Sequence, residues 1–237
     1  MTAYASLDQT LVNIEKASID GDAWTSLFSF LNMCRVQALQ YHHLPSPGSA
    51  DYGQSDVFRH VFETANLQNN DVFENLFMAL SPDKSEAITA GDTLWNYAGG
   101  TLKSITDEEG IRHENQISGV SFSVHGPLGR SGYFSLVSHD VFSDDQVRVI
   151  KWTCQNTHLA LCKLKMLKLQ KAINLTEREI EILSWIARGK SNSVIADILG
   201  ISPHTVNTHV RRIFLKTGTN DRTSACLYGI SNGLVTL

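Results

Sequence analysis

The chain has 237 residues, 42% hydrophobic and 19% charged, which is enough to bury an ordinary core and fits one large domain or two smaller ones. No run of about 18 apolar residues is present, so no transmembrane helix is expected. The start "MTAYASLDQTLVNIEK" lacks a basic segment followed by an apolar block, so neither a signal peptide nor export from the cytoplasm is expected.

The formal charge of −4 is unevenly spread. From Lys163 onward eleven Lys/Arg stand against five Asp/Glu, whereas the residues before it carry nine against nineteen. A basic C-terminal third behind an acidic body points to a polyanion met by the C-terminal part alone. Cys34, Cys154, Cys162 and Cys226 form no dense disulfide framework and read as reduced thiols. Cys154, His158 and Cys162 recur every four residues on one helix face, which reads as a packing face rather than a metal site.

In chain order, residues 7–17 and 22–34 carry helical spacing of apolar side chains. "VQALQYHHL" reads as a strand closed by the turn "PSPGS". Helices are expected near 55–67 and 71–80. "GVSFSVHG" alternates strictly, and "GPLGRSG" turns it into "YFSLVS", which makes an antiparallel hairpin. Ser143 and Gln146 form a capping box that opens a long helix, expected to bury one face at home and another in a partner. Lys163, Lys165, Lys168 and Lys171 lead to a linker at 170–174.

Helix signals are dense beyond it. Thr176 and Glu179 make a capping box, flanked by the staple pair Leu175 and Ile180. "SNSVIADIL" follows, with Val194, Ile195 and Ile198 expected inward. Gly200 permits a turn, and Ser202-Pro203 restart the chain as N-cap and first helical residue. In the next helix Val206, Val210 and Ile213 share one face, opposite His204, Thr208, Arg211 and Arg212, with Asn207 at the flank. This is a helix–turn–helix pattern, whose second helix enters the major groove. Arginine suits guanine edges and asparagine suits adenine, while Lys190, Thr205 and Lys216 suit phosphates. The competing reading is a small helical bundle with a solvated basic face.

The segment "LTEREIEILSWIARGKSNSVIADILGISPHTVNTHVRRIFLKTGTNDRTSA" resembles the LuxR-type helix–turn–helix. It carries LT-x-RE, A-x-GKS, IA-x-x-L-x-IS-x-x-TV-x-x-H, K-x-G and R-x-x-A. Val194 and Thr217 depart from that pattern. A receiver domain in front is not supported, because residues 1–120 lack its acidic pair, phospho-acceptor and lysine order. Nor is a sigma factor, because no promoter-melting region lies upstream. Instead "LFSFLNMCRVQALQYHHLP" and "ISGVSFSVHGPLGRSGYFSLVS", with the long helix after them, are similar to the autoinducer-binding domain of quorum-sensing LuxR-type regulators.

That resemblance implies an α+β architecture. Residues 1–169 would form an α-β-α sandwich with an antiparallel sheet, for sensing and dimerisation. Residues 175–237 would form an all-α four-helix DNA-binding domain. It also implies an acyl-homoserine lactone or related signal as ligand, with no cofactor, and double-stranded DNA with a two-fold operator as target. A homodimer, or a heterodimer with a related regulator, is implied, with RNA polymerase as a further partner and no membrane. No nucleophile–base constellation points to an enzyme.

The family meets the lactone's two carbonyls with a tryptophan and a tyrosine, and its amide with an aspartate. Aligned on Asp71, the aromatic positions fall on Phe58 and Phe62, which keep the ring and lose the donor. A buried carbonyl left without its donor costs about 1–3 kcal/mol. Tyr52, Gln54, Ser135 or a water could compensate. Otherwise the signal differs, or the pocket is packed shut and the protein dimerises without ligand, acting as a ligand-independent regulator or an antagonist.

Overall fold

The computed structural model describes residues 2–54, 56–62, 93–98, 101–104, 117–172 and 174–236. Its elements are α1 (Thr2–Glu15), α2 (Asp20–Met33), β1 (Ala38–Leu44), β2 (Asp56–Val61), β3 (Thr93–Ala98), β4 (Thr101–Ser104), β5 (Ile117–His125) and β6 (Ser131–Ser138). After these come α3 (Asp144–Ala172), α4 (Glu177–Ala187), α5 (Asn192–Leu199), α6 (Pro203–Thr217) and α7 (Arg222–Ser231). Two compact units form: Met1–Leu44, Ser55–Gly126 and Ser131–Leu161 make the first, and Pro45–Gln54, Pro127–Arg130 and Cys162–Leu237 the second.

The first unit is built on an antiparallel sheet of order β2-β1-β6-β5-β3-β4. The expected hairpin is β5–β6, with Phe122 opposite Phe134 and Ser121 opposite Ser135. Because side chains alternate along a strand, register sorts the sheet into two chemically different faces. On one face Phe58, Tyr41, Phe134 and Phe122 stand side by side across four strands. Leu39, Leu136 and Val120 form the neighbouring row. These side chains pack with Leu27, Phe30 and Leu31 of α2 and Ile150 and Cys154 of α3. Each large apolar side chain so buried contributes about 1.5–3 kcal/mol.

Residues 56–61 form a strand rather than the helix expected over 55–67. Phe58 and Phe62, four residues apart, share a face under either period, so their spacing alone does not decide. Pairing with β1 does, since it satisfies the backbone groups, and Phe62 N–H extends it by donating to Gln37 O at 2.8 Å. The helix expected at 71–80 lies outside the described residues. The capping box of the long helix is present: Ser143 N–H donates to Gln146 Oε1 at 3.0 Å and Gln146 N–H to Ser143 Oγ at 3.3 Å. That helix continues to Ala172, into the segment expected as linker. Its Trp152 and Leu159 are exposed.

Burial raises the thiol pKa of Cys34 to about 11 and of Cys162 to about 12, and puts Cys154 well above the ordinary range. These three stay protonated near neutral pH, as expected of inert structural thiols.

In the second unit α4–α7 close around Ile182, Leu183, Ile186, Ile195, Val206, Val210 and Ile213. Val194 and Ile198, expected inward, are 41% and 45% exposed. On so short a helix the buried stripe is centred one position later, on Ile195 and Ala196, and the small Ala196 admits a close neighbour. Apart from the helices, Asp51 and Arg130 form a two-pronged ion pair, Arg130 Nη1 to Asp51 Oδ2 at 2.9 Å and Nη2 to Oδ1 at 3.0 Å, with both side chains buried. Lys165 Nζ lies 3.2 Å from the same carboxylate.

Candidate nucleic-acid interface and ligand face

The helix–turn–helix is positioned by local chemistry. Thr176 accepts from Glu179 N–H while the Glu179 carboxylate accepts from Thr176 N–H at 2.8 Å, which satisfies two otherwise orphaned donors at the start of α4. Ser191 and Ser202 cap α5 and α6 through Val194 N–H and Thr205 N–H. Gly200, at φ 63°, ends α5 in the left-handed region and lets the chain turn at once into α6.

Val206, Val210 and Ile213 bury one side of α6. The other side presents His204, Thr205, Arg211 and Arg212 exposed, with Asn207 and Thr208 half-exposed beside them. The sequence-predicted positions are therefore brought together on one solvent-facing stripe. Thr208 Oγ1 donates to His204 O at 3.0 Å, so its hydroxyl offers DNA an acceptor. Lys190 is exposed, and its carbonyl accepts from the Arg222 guanidinium, which also donates to Asn192 Oδ1 at 3.1 Å.

Lys216, expected to suit a phosphate contact, also has a partner within the domain. Its ammonium donates to Glu179 Oε2 at 2.7 Å. Burial would raise the Glu179 pKa, but bonds from Lys216 and Thr176 prevail and hold it below the usual carboxylate range. One buried carboxylate thus joins the start of α4 to the end of α6. Arg188 adds an exposed cation, its guanidinium 5.1 Å from the centre of the Trp185 ring.

The ligand candidates divide between places. Phe58 stacks on Trp24 at 4.3 Å between ring centres, and Phe28 meets Phe62 edge-on at 5.8 Å. Both therefore belong to the apolar face. Ser135 lies on the opposite face, so the sheet does not bring it together with Phe58 and Phe62. Tyr52 is 62% exposed on the segment between β1 and β2. Asp71 lies outside the described residues.

The face that holds Ser135 carries a polar row. Register places Arg59 beside Gln40, Gln40 beside Ser135, and Ser135 beside Ser121. Arg59 Nε donates to Gln40 Oε1 at 2.8 Å, and Ser121 Oγ to Ser135 Oγ at 3.0 Å. Gln40 Nε2 and His42 Nε2 are 2.6 Å apart. Gln40, Ser121 and Ser135 are buried. Buried amide and hydroxyl groups at a sheet centre can donate to a carbonyl and accept from an amide N–H. Gln40, Ser121 and Arg59 were not singled out from sequence, because the signal that identifies them is their cross-strand register with Ser135. Gly119 sits in the next row, opposite Val137.

Residues 173–228 match the family described as bacterial regulatory proteins, luxR family. Among curated relatives, the chain is 32% identical over 141 residues to the transcriptional activator protein AhyR of Aeromonas hydrophila, covering 56% of this chain and 52% of that protein. It is 30% identical over 115 residues to the transcriptional activator protein AnoR of Acinetobacter nosocomialis, covering 46% and 48%. The chain spans about half the length, or less, of the curated relatives it matches. Its fold matches the crystal structure of Escherichia coli SdiA with a TM-score of 0.66 over 99% of both chains, at 16% identity. A second match, with a TM-score of 0.64, is SdiA in complex with octanoyl-rac-glycerol.

Proposed function

We propose, from the match of residues 173–228 to the luxR family, that the protein is a sequence-specific transcription regulator that binds two-fold DNA as a dimer. The observation that carries the reading is the exposed stripe of α6, where Arg211 and Arg212 stand opposite the buried Val206, Val210 and Ile213 with Asn207 half-exposed at the flank. The capped turn before it sets the angle at which such a helix enters a major groove. In this reading Lys190, His204 and Thr205 position the helix on the backbone, Thr208 offers its hydroxyl oxygen as an acceptor to a base N–H, and Lys216 acts through the helix it braces. Residues 1–169 sense and dimerise, 170–174 connect, and 175–237 bind DNA. RNA polymerase is a partner of the bound dimer.

Arg211→Ala is expected to weaken specific binding by about 1–3 kcal/mol and to relax preference at one base position. Selection of bound fragments from random DNA by the wild-type protein, followed by titration of the variant on them and on their single-base changes, measures both. An equal loss on every sequence would move Arg211 to a phosphate.

We further propose that an acylated small molecule, such as an acyl-homoserine lactone or a monoacylglycerol, lies against the polar row of Gln40, Ser121 and Ser135. Phe58 and Phe62 contribute from the opposite face by supporting the sheet, and Asp71 accepts the amide of a lactone. A ligand at about a hundred times its Kd stabilises the folded state by about 2.7 kcal/mol. Thermal unfolding with and without candidate lactones or octanoylglycerol is expected to show that gain, and Ser135→Ala to reduce it. Full DNA binding by protein made without any such molecule, with no stabilisation on adding one, would leave a ligand-independent regulator.

A further inference from the structure

The packed face of β1 turns polar toward its end. Tyr41 and His43 alternate onto that face. The Tyr41 hydroxyl lies 2.7 Å from Nδ1 of His158, on α3, and 3.3 Å from Nδ1 of His43. Room for the meeting comes from Gly132 on β6, which pairs with His43. A Cβ there would stand 2.8 Å from Tyr41 Cε2 and 2.9 Å from His158 Nδ1. One turn after His158 the same helix carries Cys162, at the i, i+4 spacing that sets two ligands on one helix face. Ligand atoms of His43, His158 and Cys162 lie within 4.8 Å of one another, and all three residues are buried. Spacing along the helix groups Cys154 with His158 and Cys162. Cys154 packs in the apolar cluster, whereas the residue that meets the other two is His43, more than a hundred positions away. The site is built by contacts inside the first unit and by the turn of one continuous helix.

We propose that His43, His158 and Cys162 are the three protein ligands of a divalent cation of the zinc class. Two imidazoles and a thiolate suit zinc and its late transition-metal neighbours, whereas magnesium and calcium take oxygen. In tetrahedral zinc sites nitrogen stands about 2.0 Å and sulfur about 2.3 Å from the metal, which puts ligand atoms about 3.3–3.8 Å apart, an approach of about 1 Å from the present spacing and within the reach of side-chain rotation. Water completes the fourth position, as it does where the protein supplies three ligands. Tyr41 bonds a nitrogen of each ring and so orients both, as outer partners do around ligand histidines. Burial holds the Cys162 thiol protonated, with its pKa up at about 12. Binding therefore releases that proton to solvent as the metal–sulfur bond forms. The bound ion ties β1, whose other face carries Gln40, to α3. The site does not depend on the transcription-regulator reading.

Cobalt(II) is the probe, because a thiolate bound to it gives an intense charge-transfer band in the near ultraviolet. The full chain, kept reduced and stripped of metal with a chelator, is expected to take up one cobalt ion per chain with that band, and zinc is expected to displace it. Cys162→Ser is expected to abolish the band. Cys34→Ser combined with Cys226→Ser, which removes the two cysteines that are only partly buried, is expected to keep it. Tyr41→Phe is expected to weaken cobalt binding by about 10–100-fold, and Gly132→Ala, by crowding His158 and Tyr41, to act in the same direction. Affinity is expected to fall as the pH falls, because the thiol proton must leave. Zinc is expected to raise the melting temperature of the wild-type chain and not that of Cys162→Ser. Cobalt uptake by the wild-type chain without the band, or a band that survives in Cys162→Ser, would overturn the site. The first of these outcomes is read on the wild-type chain alone, so a variant that fails to fold leaves the test standing.

Discussion

Arg130→Met is expected to lower the unfolding free energy by about 3–5 kcal/mol, because it leaves the Asp51 carboxylate in the interior without its main partner. Arg130 is 1% exposed and Asp51 4%. Its guanidinium meets both carboxylate oxygens, a geometry in which neither charge can turn to water. The midpoint of urea unfolding of the full chain, with the slope unchanged, reads the loss. Restoring an apolar match with Asp51→Leu in the Arg130→Met background is expected to recover much of it, since an apolar pair of similar volume is often as stable as a buried ion pair. A variant with wild-type stability would mean that Lys165 alone suffices for Asp51.

The same pair fixes a pH dependence. Burial pushes the Asp51 carboxyl upward, but hydrogen bonds from Arg130, Ser49 and Lys165 and the charge of Arg130 outweigh it, and the group is held well below its ordinary value of 3.8. A carboxylate with a depressed folded pKa binds fewer protons folded than unfolded. Its contribution is therefore complete above about pH 4 and is lost as the pH falls further. Arg130→Met is expected to flatten that acid limb.

Ile213→Ala is expected to cost about 2–5 kcal/mol. Ile213 is fully buried under the middle of α6, among Val206, Val210 and Ile195. Removing its side chain opens a cavity beneath the helix that presents Arg211 and Arg212. Chemical unfolding followed through Trp185, which packs against the same core, monitors the change. DNA affinity is expected to fall in proportion to the folded fraction, and to return when the protein is measured well below its melting temperature. Arg211→Ala, by contrast, is expected to lose affinity at every temperature while melting like wild type, which separates support from contact.

The C-terminal helices were legible because their signals are local. Thr176, Ser191, Ser202 and Gly200 do their work on backbone groups within a few residues, so each can be read one turn at a time. The partnership of Lys216 with Glu179 spans 37 positions, and nothing local to Lys216 announces it. The sheet was legible in the β5–β6 hairpin, where the alternation is clean and the turn short. It was misread at 56–61, where Phe58 and Phe62 fit two periods equally and the deciding fact is the pairing with β1. For the same reason spacing could group Phe58 with Phe62 but could not say that Ser135 stands across the sheet from both. That depends on which residue faces which, and the register of strands far apart in sequence is not written in either strand alone.

The two-faced sheet has a bearing on how such a protein can change over time. Drift at Phe122, Phe134 or Tyr41 disturbs a close-packed layer and is resisted by stability itself. Drift at Gln40, Ser121 or Ser135 alters hydroxyl and amide chemistry on the far side of the same strands and leaves that layer's jigsaw alone. Alternation along each strand thus separates residues whose change disturbs the apolar layer from neighbours whose change alters the hydrogen bonds of the polar row. A lineage can in this way change the chemistry of that far side without first rebuilding the layer that holds the sheet.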